Sequence, residues 1–319
     1  MPKYCRHGAL AERCPICHAN VEEEARAAAA RQRSPAARRS PTDTRPRANI
    51  TSRSRLIVRH EARAGDDGYR TPLAPGLRAT EDARRLAQEI GFASGRLAVL
   101  ALEPPGLYAE VATTADLEEA SWLAFLIAYL GPLEHPADPF AGIEEVRTPW
   151  GELPELDAAR PGPRTAHDPR RGTATVEAYV RFAERAGSQA AALDADPSWT
   201  AEQRFERVHQ RLALPGLHGR ARYDLLVTLG RLGRYPLAAP GLLSGDDDPV
   251  TIAAKRVFGI GDRMLLERRA RELAAACAVP VEALDLALEN WARTERITQG
   301  TPEAADPDAA QRAAAALDC

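Results

Sequence analysis

The strongest constraint on this fold lies in the second half of the chain. From Val176 onward, six segments, most with apolar residues at i, i+3 and i+4, follow one another across short Gly/Pro connections. They are VEAYVRFAERAGSQAAAL, TAEQRFERVHQRLAL, ARYDLLVTLGRLG, VTIAAKRVFG, GDRMLLERRARELAAAC and VEALDLALENWART. Successive amphipathic helices with short links can bury their apolar stripes only against one another, so the body is expected to be mainly α. No internal repeat of fixed period accompanies them.

Upstream, the pattern is mixed. RLIVRHEAR reads as a short strand or extended entry, and ATEDARRLAQEIGFA as a helix capped by Thr80, with acids in its first turn and Gly91 past its end. GRLAVLALE and GLYAEVAT, separated by Pro-Pro-Gly, read as two strands, which puts a small β element near residues 95–112. TADLEEASWLAFLIAYL is a helix with Thr114 or Asp116 as cap and an apolar face broad enough for a core position. Gly131 to Thr175 is rich in Pro, Gly and Asp, which predicts loops with one short helix at DPFAGIEEV. The acidic, Ala-rich end reads as a flexible tail. The expected organisation is 1–20, 21–55, 56–175, 176–298 and 299–319: a zinc knuckle, a basic linker, a loop-rich part of the body, a helical domain and the tail.

The first eighteen residues hold Cys5, His7, Cys14, Cys17 and His18. Cys5-x-His7-x6-Cys14-x2-Cys17 is a tetrahedral metal-ligand set, in which Cys-Pro-Ile-Cys presents two thiolates and Cys5-Arg-His7 a second pair. Four protein ligands close the shell, so the expected cofactor is a structural zinc. His18 is a rival fourth ligand with an awkward bite beside Cys17. Between Arg31 and Arg55, eight arginines face one acid, Asp43, for a net +7. With three prolines and almost nothing apolar, this stretch is expected to be a disordered linker. A knuckle on an arginine-rich tether suits nucleic acid, through counterion release, or a protein partner.

Composition excludes much else. The chain has 42 basic and 45 acidic side chains, so any nucleic-acid grip is local rather than a cationic sleeve. Only Lys3 and Lys255 are lysines, a skew expected of a GC-rich genome. Five cysteines do not make a disulfide scaffold. The start has no apolar signal core, and Trp122–Leu130 is too short to cross a bilayer, so a cytoplasmic protein without membrane contact is expected. P-loop, dinucleotide, serine-hydrolase and zinc-protease motifs are absent.

Two features carry chemistry in the helical half. Val257-Phe258-Gly259-Ile260-Gly261-Asp262-Arg263-Met264 is a Gly-x-Gly turn between helices, which lets a backbone approach a phosphate at a helix N-terminus. It resembles the helix-hairpin-helix element of the DNA-glycosylase superfamily. The resemblance implies a catalytic Asp a little over twenty residues beyond the hairpin, and Asp285 falls at about that distance. The lysine of bifunctional members is missing, with Leu265 and Leu266 in its neighbourhood.

The second feature is ADPSWTAEQRF. With RFAERAG before it and ARYDLL after it, it resembles the alpha-glutamyl/putrescinyl thymine pyrophosphorylases and the helical domain of hydroxymethyl-uracil DNA kinases, a group related to the glycosylase fold. Trp199, Thr200, Arg204 and Phe205 carry the resemblance, which spans roughly residues 117–295. It implies an enzyme that displaces pyrophosphate from an activated hydroxymethyl-pyrimidine in DNA, with an amine or amino-acid co-substrate. A flipped base would stack on Trp199, Tyr223 or Trp291, and Arg185, Arg204, Arg222 or Arg263 would hold phosphates.

The loop GPRTAHDPRRG adds His167-Asp168 among arginines, an acid–base pair in waiting or a charged surface loop. The expected protein is thus a DNA-glycosylase-like helical body with a small β element, a zinc knuckle and a linker, acting on a modified duplex. The alternatives are a non-catalytic adaptor and a monofunctional base-excision glycosylase.

Overall fold

A computed structural model describes residues 64–134, 137–243, 245 and 248–319. Among these residues there are twelve α-helices and no strand. They are α1 (Thr80–Leu102), α2 (Leu107–Thr113), α3 (Leu117–Leu130), α4 (Ala141–Glu144), α5 (Ala174–Ala186), α6 (Gln189–Leu193), α7 (Ala201–Arg211), α8 (Gly219–Arg231), α9 (Pro249–Phe258), α10 (Arg263–Ala276), α11 (Val281–Ala292) and α12 (Pro307–Leu317). The mainly α expectation holds for them.

Helix α3 is the spindle of one half. Every residue from Ala120 to Leu130 is buried, so the helix needs neighbours on all sides and takes α2, α4, α6 and α8. Asp116, not Thr114, caps it by accepting from Glu118 N at 2.8 Å. Its aromatic stripe is core: Phe125 stacks on Tyr179 of α5 with ring centroids 3.8 Å apart, and Trp122 and Tyr129 extend the stack. The other half is built on α1, which lies along α11 and α12, while α11 also packs on α9 and α10. A contact between α1 and α8 joins the halves.

The β element near 95–112 is not formed. Gly91 does not stop α1, and the apolar run LAVLAL is its last two turns; GLYAEVAT supplies α2. Gly91 and Gly95 are not turn residues but a contact strip. A Cβ on Gly91 would sit 2.6 Å from Ala310 Cβ, and one on Gly95 would sit 2.5 Å from the Ala305 carbonyl carbon. Thr80 is the first helical residue rather than the cap, and its N–H is taken by Asp67 Oδ2 at 2.9 Å.

The expected flexible tail is also corrected. Residues 307–317 are α12, with Ala309, Ala313 and Leu317 buried against the rest. The boundary expected at 175/176 falls inside α5, and residues 59–319 cluster as one compact unit. The zinc knuckle, with Cys5, His7, Cys14 and Cys17, and the linker over 21–55 lie outside the described residues.

Candidate functional site

The end of α3 builds the site. Its last carbonyls have no partner within the helix and must find donors elsewhere. Tyr129 O accepts from Ala166 N at 2.8 Å and Thr165 Oγ1 at 3.0 Å, and Leu130 O accepts from Gly162 N at 3.0 Å. Gly162 is required there, since a Cβ would meet Pro132 O at 1.8 Å. This stitching aims Arg164, 4% exposed, into the seam between α8 and α11.

Both helices present charges four residues apart, hence on one face: Arg220 and Asp224 on α8, and Asp285 and Glu289 on α11, with Arg293 at the C-cap of α11. Arg164 forms a two-pronged pair with Asp224, Nε to Oδ2 at 2.9 Å and Nη2 to Oδ1 at 2.8 Å. Its Nη1 donates to Glu289, and its Nη2 reaches Asp285 Oδ1 at 3.3 Å. Arg220 bridges Glu289 and Asp248, the latter at 2.8 Å, and Arg293 reaches Glu289 at 2.7 Å. Gln299 Nε2 donates to Asp224 at 3.1 Å, and its own carbonyl takes the buried Tyr108 hydroxyl.

Four carboxylates therefore share three guanidinium groups, leaving one negative charge in excess. The excess falls on Asp285. Burial raises its carboxyl to about 7, partly opposed by Arg164 and helped by the nearby Asp224 charge. Glu289 goes the other way: burial pushes it up, but Arg164, Arg220 and Arg293 together hold it below its ordinary value. Burial alone would lower Arg164, yet Asp224, Glu289 and Asp285 raise it, so the guanidinium stays charged. Removing one partner from such a buried cluster typically costs about 3–5 kcal/mol.

The cluster lies beneath an open cleft of about 520 Å³, lined by Arg164, Thr165, His218, Arg220, Arg222 and Asp248. Asp285 is one layer deeper, 2% exposed, with Oδ2 accepting from Leu243 N at 3.1 Å. Leu243 also lines a second groove of about 410 Å³, with Phe205, His209, Tyr223, Arg263 and Arg271. Leu243 thus stands between the Asp285 carboxyl and two cavities.

The expected site residues fall into this frame unevenly. Arg222 lines the cleft, donating from Nη1 to His209 O at 3.0 Å, while Tyr223 and Arg263 both line the groove. Tyr223 is 4% exposed, packs edge-on to Phe205, and donates its hydroxyl to Gly241 O at 2.9 Å. Arg263 is exposed and pairs with Glu267 at 3.1 Å. Gly259 closes α9 in the left-handed region with φ 65°, and Gly76 packs on it. Gly261 faces open space ahead of α10.

Trp199 and Arg204 serve their own turn. Arg204 ties down the carbonyls of Trp199 (3.0 Å) and Pro197 (2.6 Å), while Thr200 and Gln203 form a capping box. Trp291 is buried, with its indole N–H on Asp82 O at 2.9 Å. His167 and Asp168 make no hydrogen bond to each other. His167 Nδ1 faces the Tyr129 hydroxyl at 3.1 Å, whereas Asp168 caps a short turn and pairs with Arg170. Burial lowers His167, which favours its neutral form, with Asp168 pulling weakly the other way.

Arg164, Asp224 and Glu289 escaped the sequence reading. The available signal was acids at 285 and 289 in the mostly apolar VEALDLALENW, spaced to share one face. No group of three or more His, Cys, Asp or Glu among the described residues is arranged to hold a metal. None of the described helices is long and apolar enough to cross a membrane. Compared with protein-family models, curated proteins and solved structures, the chain has no match in any of the three.

Proposed function

We propose that the chain acts on a modified pyrimidine in DNA, as its resemblance to the thymine pyrophosphorylases implies, with the Arg164 cleft as active site. The observation that supports this reading is Asp285: a walled-off carboxyl raised to about 7, behind the cleft and after a helix–Gly-x-Gly–helix turn. A group at that value exchanges a proton at neutral pH, as a general base or acid requires. In the proposed reaction the amine nitrogen attacks the methylene carbon, the carbon–oxygen bond to pyrophosphate breaks, and the amine proton passes to the Asp285 carboxylate. Access to Asp285 requires the Pro240–Leu243 segment to give way.

One observation favours the adaptor instead. All three nitrogens of Arg164 are engaged by carboxylates, which is how a purely structural clamp would look. Turnover of a duplex bearing the pyrophosphorylated hydroxymethyl-uracil, with an amine supplied, separates the readings. Asp285→Asn should lower turnover by about 10²–10⁴-fold while duplex binding stays within twofold. No turnover by the unaltered protein on any such duplex would leave the adaptor, and release of free base would assign excision.

A further inference from the structure

One of the two lysines in the chain stands in a particular place. Lys255 lies on α9 and lines a recessed cavity of about 150 Å³ closed by Leu242, Leu243, Thr251, Gly261, Arg263 and Glu267. Among the described residues its ammonium makes no hydrogen bond and no ion pair, although it is half-buried. Elsewhere the chain uses arginine for 40 of its 42 basic side chains. A lysine ammonium is compact, so it leaves the cavity open; a guanidinium in its place would fill much of it.

The surroundings complete an anion receptor. Glu267 is paired with Arg263 through a bond from Nε at 3.1 Å, which offsets the carboxylate charge and leaves Lys255 as the uncompensated cation. Thr251 is already used: it accepts from Gly245 N at 3.2 Å and faces Leu243 O at 3.4 Å. Among the described residues, Lys255 and Arg263 against Glu267 give the walls a net charge of +1. Gly261 adds a backbone edge with open space beside it, where a Cβ would meet nothing within 4 Å. We propose that this cavity binds one phosphate group of a small, freely diffusing molecule, with Lys255 as the principal cation. The assignment deepens the function proposed above but does not depend on Asp285, which lies behind Leu243 on the other side.

The test uses the full chain and inorganic diphosphate as probe, read as the rise in the unfolding midpoint of the helical unit. Ligand held only by the basic linker does not move that midpoint, because it does not favour the folded unit. The unaltered protein should be stabilised with a half-saturating concentration that increases at least tenfold in both Lys255→Met and Lys255→Arg. Methionine removes the charge, and arginine keeps it but occupies the space, so loss in both variants is specific to a cavity. Asp285→Asn should leave the response intact, so this inference and the proposed reaction fail separately. An unchanged response in Lys255→Met would overturn the assignment. So would a Lys255→Arg variant as responsive as the original, or competition by an unmodified duplex lacking terminal phosphates, which would put a backbone phosphate in the cavity.

Discussion

Asp285 and Glu289 sit four residues apart on one helix face, share Arg164, and are displaced in opposite directions. The difference follows from how many guanidinium groups each can reach: Glu289 has three within ion-pair distance, Asp285 one at 3.3 Å. A carboxyl at about 7 in the folded chain against an ordinary 3.8 has a definite consequence for stability. Between those values the folded state keeps a proton that the unfolded chain has released. Stability therefore falls as pH rises through that window, by up to about 1.4 kcal/mol per pH unit from this group. Glu289, held below its ordinary value, contributes in the opposite sense: its stabilisation is present above that value and is lost as pH falls through its folded value. Subtraction isolates Asp285. The unfolding free energy of Asp285→Asn, measured from pH 4 to 8 in urea, should gain on the unaltered protein by several kcal/mol across the window. A constant difference would show that the Asp285 carboxyl is ionised throughout.

Among the elements, α1 separates what periodicity reveals from what it hides. The six segments from Val176 onward were legible because most show one apolar stripe, the mark of a helix with one wet face. The end of α1 has no such stripe, because its solvent side is apolar too: Ala98, Ala101 and Leu102 are exposed, Leu102 at 79%. LAVLAL then looks like a buried strand, and Gly91 looks like a helix stop. The deciding information is the fit of Gly91 and Gly95 to the chain around Ala305 and Ala310, more than two hundred residues away. The site was half legible for the same reason. Asp285 was singled out only through the resemblance to the glycosylase superfamily, while Arg164 comes from a loop whose position depends on the stitched end of α3. Gly95→Ala tests the contact directly. In an isolated helix this change stabilises by about 1 kcal/mol; here the added methyl meets backbone at 2.5 Å, so a net loss of about 1–3 kcal/mol is expected. Equal or higher stability in denaturant titration would mean that the backbone at Ala305 does not press on α1 as described.

At the scale of the whole molecule, charge is divided unevenly along the sequence. The total is −3; residues 31–55 contribute +7 and residues 1–30 contribute zero, four basic against four acidic, so residues 56–319 carry −10. An acidic helical body repels a phosphate backbone at long range. Under the proposed function, recognition by this body is short-ranged, and the general hold on a duplex is assigned to the arginine-rich stretch. Such a hold weakens with salt by about 0.9 in the logarithmic slope per phosphate neutralised, which bounds the stretch's contribution at about 6. The full chain should therefore bind an unmodified duplex with a steep salt slope, and a chain starting at Leu56 should lose nearly all of that affinity and slope. If the shortened chain still prefers a duplex with modified pyrimidine over one with thymine, recognition belongs to the helical body and its Arg164 cleft. If the preference disappears with the slope, the body contributes no recognition of its own, and the adaptor reading accounts for the protein better than the enzyme does.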